Sequence, residues 1–155
     1  MSETIKLLVL DPVTTAATPA ELAYMGRFLG ADTQQLEGRA ICNGPASIEC
    51  EYDEAMALPQ VVALAKASAA EFDGIFIDCF ADPGVRAVRE CVDIPVCGGF
   101  EPVLQLALGL ADQIAIITVL PQVIPLLRAN VGRLAWVSTS APSSAPTFPC
   151  SRWAI

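Results

Sequence analysis

The chain has 155 residues, 54% of them hydrophobic and 17% charged, with a formal net charge of −8. That is enough for one compact α/β domain with a core of its own, and it is not the composition of a disordered segment. The acidic balance, with no Lys/Arg cluster to override it, argues against nucleic acid as a partner.

In chain order, Ile5-Lys6-Leu7-Leu8-Val9-Leu10 reads as a buried strand stopped at Asp11-Pro12. Thr18-Pro19 has the form of an N-cap with proline at the first helical position, ahead of an amphipathic stretch marked by Leu22, Met25, Phe28 and Leu29. A weaker strand is predicted from Gln35 to Cys42, and a helix from Pro59 to Ala70 with Val61, Val62, Leu64 and Ala65 inward. The third strand is Ile75-Phe76-Ile77-Asp78, with Cys79 at its end. Asp82-Pro83-Gly84 opens a helix towards Glu90, Ile94-Pro95-Val96 makes a short strand, and a helix follows from Pro102 to Leu110. The run Ile114-Ala115-Ile116-Ile117-Thr118-Val119 is predicted as another buried strand, and Pro121 begins a helix to Ala129.

Strands alternate with helices, and the strands are almost continuously apolar. This predicts a parallel sheet covered on both faces. In such sheets the ligand crevice lies beyond the carboxyl ends of the strands. Asp11 with Thr14 and Thr15, Asn43 with Ser47, Cys79, and Thr118 all fall at those predicted ends.

The six cysteines, Cys42, Cys50, Cys79, Cys91, Cys97 and Cys150, include no C-x-x-C pair, and the chain has no histidine. A structural zinc site is not expected. The thiols are expected to be free. Ser-His-Asp and Cys-His catalysis are excluded for want of an imidazole, so any proton transfer falls to Cys, Asp, Glu, Lys or Tyr. No apolar run reaches the ~18 residues of a membrane span. Met1-Ser2-Glu3-Thr4 lacks the basic flank of a secretory leader, so a cytoplasmic protein with no membrane partner is expected.

The last stretch differs. All acidic residues lie at or before Asp112, whereas Trp136, Trp153 and a run of serines and prolines fall between Leu134 and Ile155. Two readings stand: a flexible Ser/Pro-rich end, or a shifted reading frame. For the second, Pro146–Ile155 can be back-translated so that the neighbouring frame spells Asp-Ile-Pro-Val, as in Asp93-Ile94-Pro95-Val96.

Several segments carry a family resemblance. They are Gly44-Pro45-Ala46-Ser47-Ile48-Glu49 with Tyr52-Asp53-Glu54; Cys79-Phe80-Ala81-Asp82-Pro83-Gly84 with Arg89-Glu90; Ile94 to Glu101; and the aliphatic run ending in Thr118. In this order they resemble the hydantoin/allantoin racemase branch of the aspartate/glutamate/hydantoin racemase superfamily, over about residues 5 to 133. The resemblance implies a flavodoxin-like lobe of a two-lobed fold, with residues 1–96 as the first lobe, 97–133 as part of a second and 134–155 as an atypical tail. It also implies a racemase or epimerase that needs no metal or organic cofactor and uses two opposed cysteines at the α-carbon of a hydantoin-like or amino-acid-like small molecule.

The resemblance places the first cysteine at Cys79. Nothing here matches the region of the second, and Cys150 lacks its flanking pattern. Thr14 and Thr15 match in kind a substrate-binding Thr/Ser pair, whereas Asp11 and Val13 depart from the family's Asn-Pro-Asn. Phe80 and Thr118 are expected to line the pocket. Low turnover and self-association into a homo-oligomer are expected, because a partial second lobe leaves apolar surface uncovered.

Each residue also has a plainer reading. A lone cysteine is ordinarily a small core residue, which suits Cys42, Cys50, Cys91 and Cys97. Thr118 could simply end a strand, and Asp82 is as apt to cap the helix it opens as to touch ligand. A helix beginning after Asp82-Pro83-Gly84 would favour a Cys79 thiolate, while Asp78 and Asp82 would oppose it. Two other functions stay open: a related dicarboxylate isomerase or decarboxylase, and a non-catalytic ligand-binding or interaction domain.

Overall fold

The computed structural model describes residues 4–29 and 34–139. Its centre is strand β1 (Ile5–Asp11), flanked by β2 (Gln34–Ala40) and β3 (Gly74–Ile77), with β4 (Val96–Gly98) beyond β3. All pairings are parallel and the order is β2-β1-β3-β4. This is the expected α/β class and a doubly wound order. The chain leaves β1 to one side for β2 and returns to the other side for β3. The gap between the carboxyl ends of β1 and β3 is therefore the switch point, where such sheets open a crevice.

Leu8 and Leu10 of β1, Ile75 and Ile77 of β3 and Val96 of β4 share one face of the sheet. They pack on Ala57, Val61 and Ala65 of helix α2 (Glu51–Ser68) and on Val85 and Val88 of helix α3 (Val85–Arg89). Each large aliphatic side chain fully buried there contributes about 1.5–3 kcal/mol relative to an exposed one. The other face is less complete. Helix α1 (Pro19–Leu29) lies against β2, which leaves Leu7 and Phe76 half-buried and Cys97 exposed. The predicted cover on both faces is thus full on one side only. On α1, Leu22 and Met25 are half-buried, but Phe28 and Leu29, expected inward, face solvent.

The start of α1 is as predicted. Thr18 Oγ1 accepts from the Glu21 N–H at 3.3 Å, and Glu21 Oε2 accepts from the Thr18 N–H at 2.7 Å. This reciprocal capping satisfies two helix-end donors. By contrast, α2 begins at Glu51, well before Pro59, which sits inside it. The proline ring is on the solvent side. Glu51, Asp53 and Glu54 in the first turn favour the helix start, and the buried stripe of Ala57, Val61 and Ala65 holds the helix through the proline. At β4 the ladder is shifted to Val96–Gly98, because Pro95 has no N–H to give, although its carbonyl accepts from Ile75 at 2.9 Å.

A second cluster joins Phe100 and Leu104, at the start of helix α4 (Glu101–Leu110), to Leu127 and Val131 of helix α5 (Ile124–Thr139). The predicted strand at 114–119 is not formed. Apart from a single bridge at Ala115, the segment joins no ladder among the described residues. Ile114 and Ile116 turn in towards the second cluster, while Ile117 is 94% exposed and Val119 90%. Its apolar content therefore does not report burial between neighbouring strands. A 3-10 turn at Pro121–Val123 leads into α5, which continues beyond the predicted end at Ala129. Asn130, Val131 and Leu134 are packed rather than free, so helix replaces the first part of the predicted tail. Residues 140–155, including Cys150 and the stretch read for a frame shift, lie outside the described residues.

Candidate active site

The site is built at the carboxyl ends of β1 and β3. The Asp78 N–H donates to Leu10 O at 2.9 Å, prolonging the β1–β3 pairing by one residue and delivering Cys79 just past the sheet edge. A tight turn follows, in which the Asp82 N–H donates to Cys79 O at 3.0 Å. Asp82 has φ of 54°, the left-handed region that few non-glycine residues adopt. Gly84, with φ of 79°, then caps α3.

The conformation of Asp82 has a visible use. Its Oδ1 accepts from the Phe100 N–H and its Oδ2 from the Glu101 N–H, each at 2.8 Å. Asp82 therefore caps α4 across the sheet edge rather than the helix that follows it in sequence. Both oxygens are occupied by these two N–H groups, so the residue is a cap, but of a different helix from the one expected from its place in the sequence. A Cβ at Gly98 would overlap the Asp82 carboxylate, which makes glycine a packing requirement there.

Asn130 holds the same loop from the other side. It is buried, and its Nδ2 donates to Ala81 O at 2.7 Å, tying α5 to the turn that carries Cys79. Phe80 projects outward, half-exposed, in edge-to-face contact with Phe100 at 5.2 Å between centroids.

Cys79 is a half-buried free thiol. Burial pushes its pKa up, the Ala81 N–H opposes this by donating towards the sulfur, and the carboxylates of Asp82, Glu54 and Asp78 push it further up. The expected opposition from Asp78 and Asp82 is present, set against any help from the start of α3. That helix has only five residues, and the balance at the sulfur favours the protonated form.

Asp11 is 7% exposed. Burial raises its pKa, the Ala17 N–H at 2.8 Å lowers it, and Asp78 and Glu21 raise it. Its carboxylate thus shapes the loop after β1. Thr14 and Thr15 stand exposed on that loop, and the Thr14 N–H donates to Pro45 O at 3.3 Å, linking the loops after β1 and β2.

Asp11, at the last position of β1, and Thr14, Thr15, Cys79 and Phe80, on the loops after β1 and β3, therefore lie at the same end of the sheet. Thr118 does not end a strand of this sheet; it lies half-buried in the segment after α4. Two residues were missed as site components. Glu54, in the first turn of α2, is close enough to act on Cys79, and its own pKa is raised by burial against the opposing pull of Arg133. Its position after the β2 loop was the available signal. Asn130 was signalled by being a lone amide within an apolar helix stretch.

Two cavities adjoin these loops. The larger, about 620 Å³, lies beside Asp82 and is lined by Arg86, Arg89, Glu101, Asn130 and Arg133, but not by Cys79. The smaller, about 150 Å³, is apolar and runs from Phe80 to Val103, Ala107 and residues 114–117. The arginines of the larger cavity are partly committed. Arg89 bonds Val96 O at 2.8 Å and Glu101 at 3.0 Å. Among the described residues no cluster of three or more His, Cys, Asp or Glu is set to hold a metal, and no helix is long and apolar enough to cross a membrane.

Comparison with known proteins gives a consistent result. A hydantoin racemase of Pseudomonas sp. (strain NS671) is 35% identical over 120 residues, covering 77% of this chain and 48% of that protein. A hydantoin racemase of Rhizobium meliloti is 30% identical over 120 residues, covering 77% and 50%. The structure of an allantoin racemase from Klebsiella pneumoniae superposes with a TM-score of 0.78 at 28% identity, covering 87% of this chain and 56% of that one. The chain spans about half the length of the curated relatives it matches. The family model for Asp/Glu/hydantoin racemases matches residues 7–145, and on that match the chain belongs to this racemase family.

Proposed function

We propose that this chain carries the Cys79 side of a cofactor-independent racemase or epimerase site, acting at the α-carbon of a hydantoin-like or amino-acid-like substrate. The observation that carries the reading is the position of Cys79. It stands at the carboxyl end of β3, across the switch point from the Asp11–Thr15 loop. The thiolate removes the α-proton, and the electron pair moves into the adjacent carbonyl as an enolate. A thiol on the opposite side returns a proton to the other face. In this reading the hydroxyls of Thr14 and Thr15 donate to the developing enolate oxygen, and Phe80 and Thr118 meet the substrate's side group. Asp11 acts by holding its loop rather than by contact.

The charge around the site bears on the substrate. Asp11, Asp78, Asp82 and Glu54 surround it, with Arg133 acting on Glu54. Such a field disfavours a dicarboxylate and favours a neutral ring such as a hydantoin. The dicarboxylate isomerase or decarboxylase reading is correspondingly weaker.

Turnover by this chain is expected to be low for two reasons. Cys79 rests protonated, and no second cysteine with the family's flanking pattern is present in the sequence. The test is α-proton exchange of each enantiomer of a 5-substituted hydantoin in D2O, followed by NMR alongside optical rotation. Exchange of one enantiomer, increasing with pH and absent in Cys79→Ser, is expected without loss of rotation. Rapid racemisation would overturn the impairment. Exchange unaffected by Cys79→Ser would overturn the role of Cys79. No exchange with hydantoins, allantoin or amino acids would leave the ligand-binding domain as the better reading.

A further inference from the structure

We propose that Asp82 is a positioning residue for Cys79: by capping helix α4 from the turn that carries the thiol, it makes the seating of α4 set how readily that thiol reacts. The inference rests on Cys79 being the reacting group of the proposed site, and adds to it a means of controlling that group.

Every polar group of Asp82 is engaged. Its N–H donates to Cys79 O at 3.0 Å, and its carbonyl accepts from the Val85 N–H at 3.3 Å. Oδ1 and Oδ2 accept from the N–H groups of Phe100 and Glu101, each at 2.8 Å. The residue thus joins the Cys79 turn to the start of α3 and to the start of α4. It does so with φ of 54°, a conformation that a residue with a side chain keeps only where its surroundings impose it. Two further contacts repeat the link. Phe80, next to Cys79, meets the ring of buried Phe100 at 5.2 Å between centroids. Gly98, at the end of β4, leaves the space that the carboxylate fills.

Charge gives the link a chemical consequence. Of the three carboxylates that act on Cys79, Asp82 weighs most, ahead of Glu54 and Asp78. With α4 seated, the Asp82 charge faces two N–H donors and the positive end of a helix of 10 residues, which offset it. With α4 unseated, the same carboxylate would stand beside the thiol without that offset and disfavour the thiolate. The remaining charged groups do not substitute for α4. Asp78 and Glu54 are acidic themselves, Arg133 of α5 acts on Glu54, and Arg89 of α3, which acts on Asp82, is bonded to Glu101. Seating of α4 therefore both places the sulfur and eases its ionisation, the two conditions for proton transfer by a thiol.

Iodoacetamide labelling of Cys79 against pH, read by peptide mass spectrometry, tests this in the full chain, with circular dichroism verifying the fold of each variant. Gly98→Ala keeps every charge but pushes the carboxylate off α4. The midpoint of its rate–pH curve should rise, and the rate at pH 8 should fall by about two- to fivefold, the scale of one partly screened charge. Asp82→Asn removes the charge, so its midpoint should fall and its rate at pH 8 increase by a similar factor. A merely structural role would not move the two midpoints in opposite directions. Asn130→Ala loosens the same turn without moving a charge and should leave the midpoint in place. An unmoved or lowered midpoint in Gly98→Ala overturns the proposal, as does an equal rise in Asn130→Ala. If Gly98→Ala does not fold, Asp82→Gly decides. Glycine takes the left-handed φ without strain, so the turn is relaxed but unlatched. Its plateau rate at high pH should exceed that of Asp82→Asn by about two- to tenfold, the scale of one lost hydrogen bond, and equal plateaus overturn the proposal. Labelling needs no substrate. A chain that exchanges no hydantoin α-proton therefore defeats the racemase reading, while the midpoints still decide the coupling of α4 to the thiol.

Discussion

Asp82 and Phe100 are 18 positions apart, yet the carboxylate of the first accepts the backbone N–H of the second at 2.8 Å. Together with the bond from Glu101 N–H, this fixes the start of α4 to the turn that carries Cys79. Asp82→Ala should leave two helix-end donors without partners and cost about 1–3 kcal/mol in urea unfolding. Asp82→Asn, which keeps one acceptor, should cost less. Equal effects of the two variants would show that capping is not what Asp82 contributes.

Gly98 lies where any Cβ would meet the Asp82 carboxylate, with Val85 Cγ2 at 3.0 Å behind it. Gly98→Ala should therefore destabilise by about 1–3 kcal/mol, as overpacked sites do. Combined with Asp82→Ala the cost should be less than the sum, because removal of the carboxylate makes room for the methyl group. Thermal unfolding of the two single variants and the double variant decides this.

The Cys79 thiol should be slow to alkylate at neutral pH. Burial and three carboxylates disfavour the thiolate, so the proton is retained beyond the ordinary thiol range and the rate climbs only as pH rises through it. Removing a neighbouring negative charge favours the thiolate. Glu54→Gln should therefore move the whole rate–pH curve to lower pH and raise the rate at pH 8 by about two- to fivefold, the scale of one partly screened charge interaction. Iodoacetamide labelling read by peptide mass spectrometry separates Cys79 from the other thiols. A curve unmoved by Glu54→Gln would place that carboxylate out of reach of the sulfur.

Asn130 is expected to act differently. Asn130→Ala leaves the carbonyl of Ala81 without its donor, at a cost of about 1–3 kcal/mol. The Cys79 turn should open more often, raising alkylation at every pH without moving the midpoint. A midpoint shift would mean that Asn130 acts on the charge of the thiol rather than on the rigidity of the loop.

The frame of the fold was legible in the chain, and so was the position of Cys79. Apolar runs such as Ile5–Leu10 and Ile75–Ile77 mark strands buried by helices, and Thr18-Pro19 marks a helix start, because these signals depend on neighbours within a few residues. The start of α2 was misplaced for the same local reason. Pro59 resembles a helix N-terminus, and only packing of Ala57, Val61 and Ala65 on the sheet shows that the helix runs through it. The run at 114–119 has the composition of a buried strand but gains no ladder, since strand formation needs a partner that composition cannot supply.

Sequence alone determined that these 155 residues supply no imidazole, that the chain alternates strand and helix, and that Cys79 follows a strand. Only the tertiary structure decided what surrounds that thiol. Asp82, Glu54 and Asp78 reach it from two different elements of the fold, and Asn130 of α5 restrains its loop from a third. Charge and burial at an atom depend on distances through space, and those are set by how β1, β3, α2 and α5 pack rather than by the order of residues along the chain.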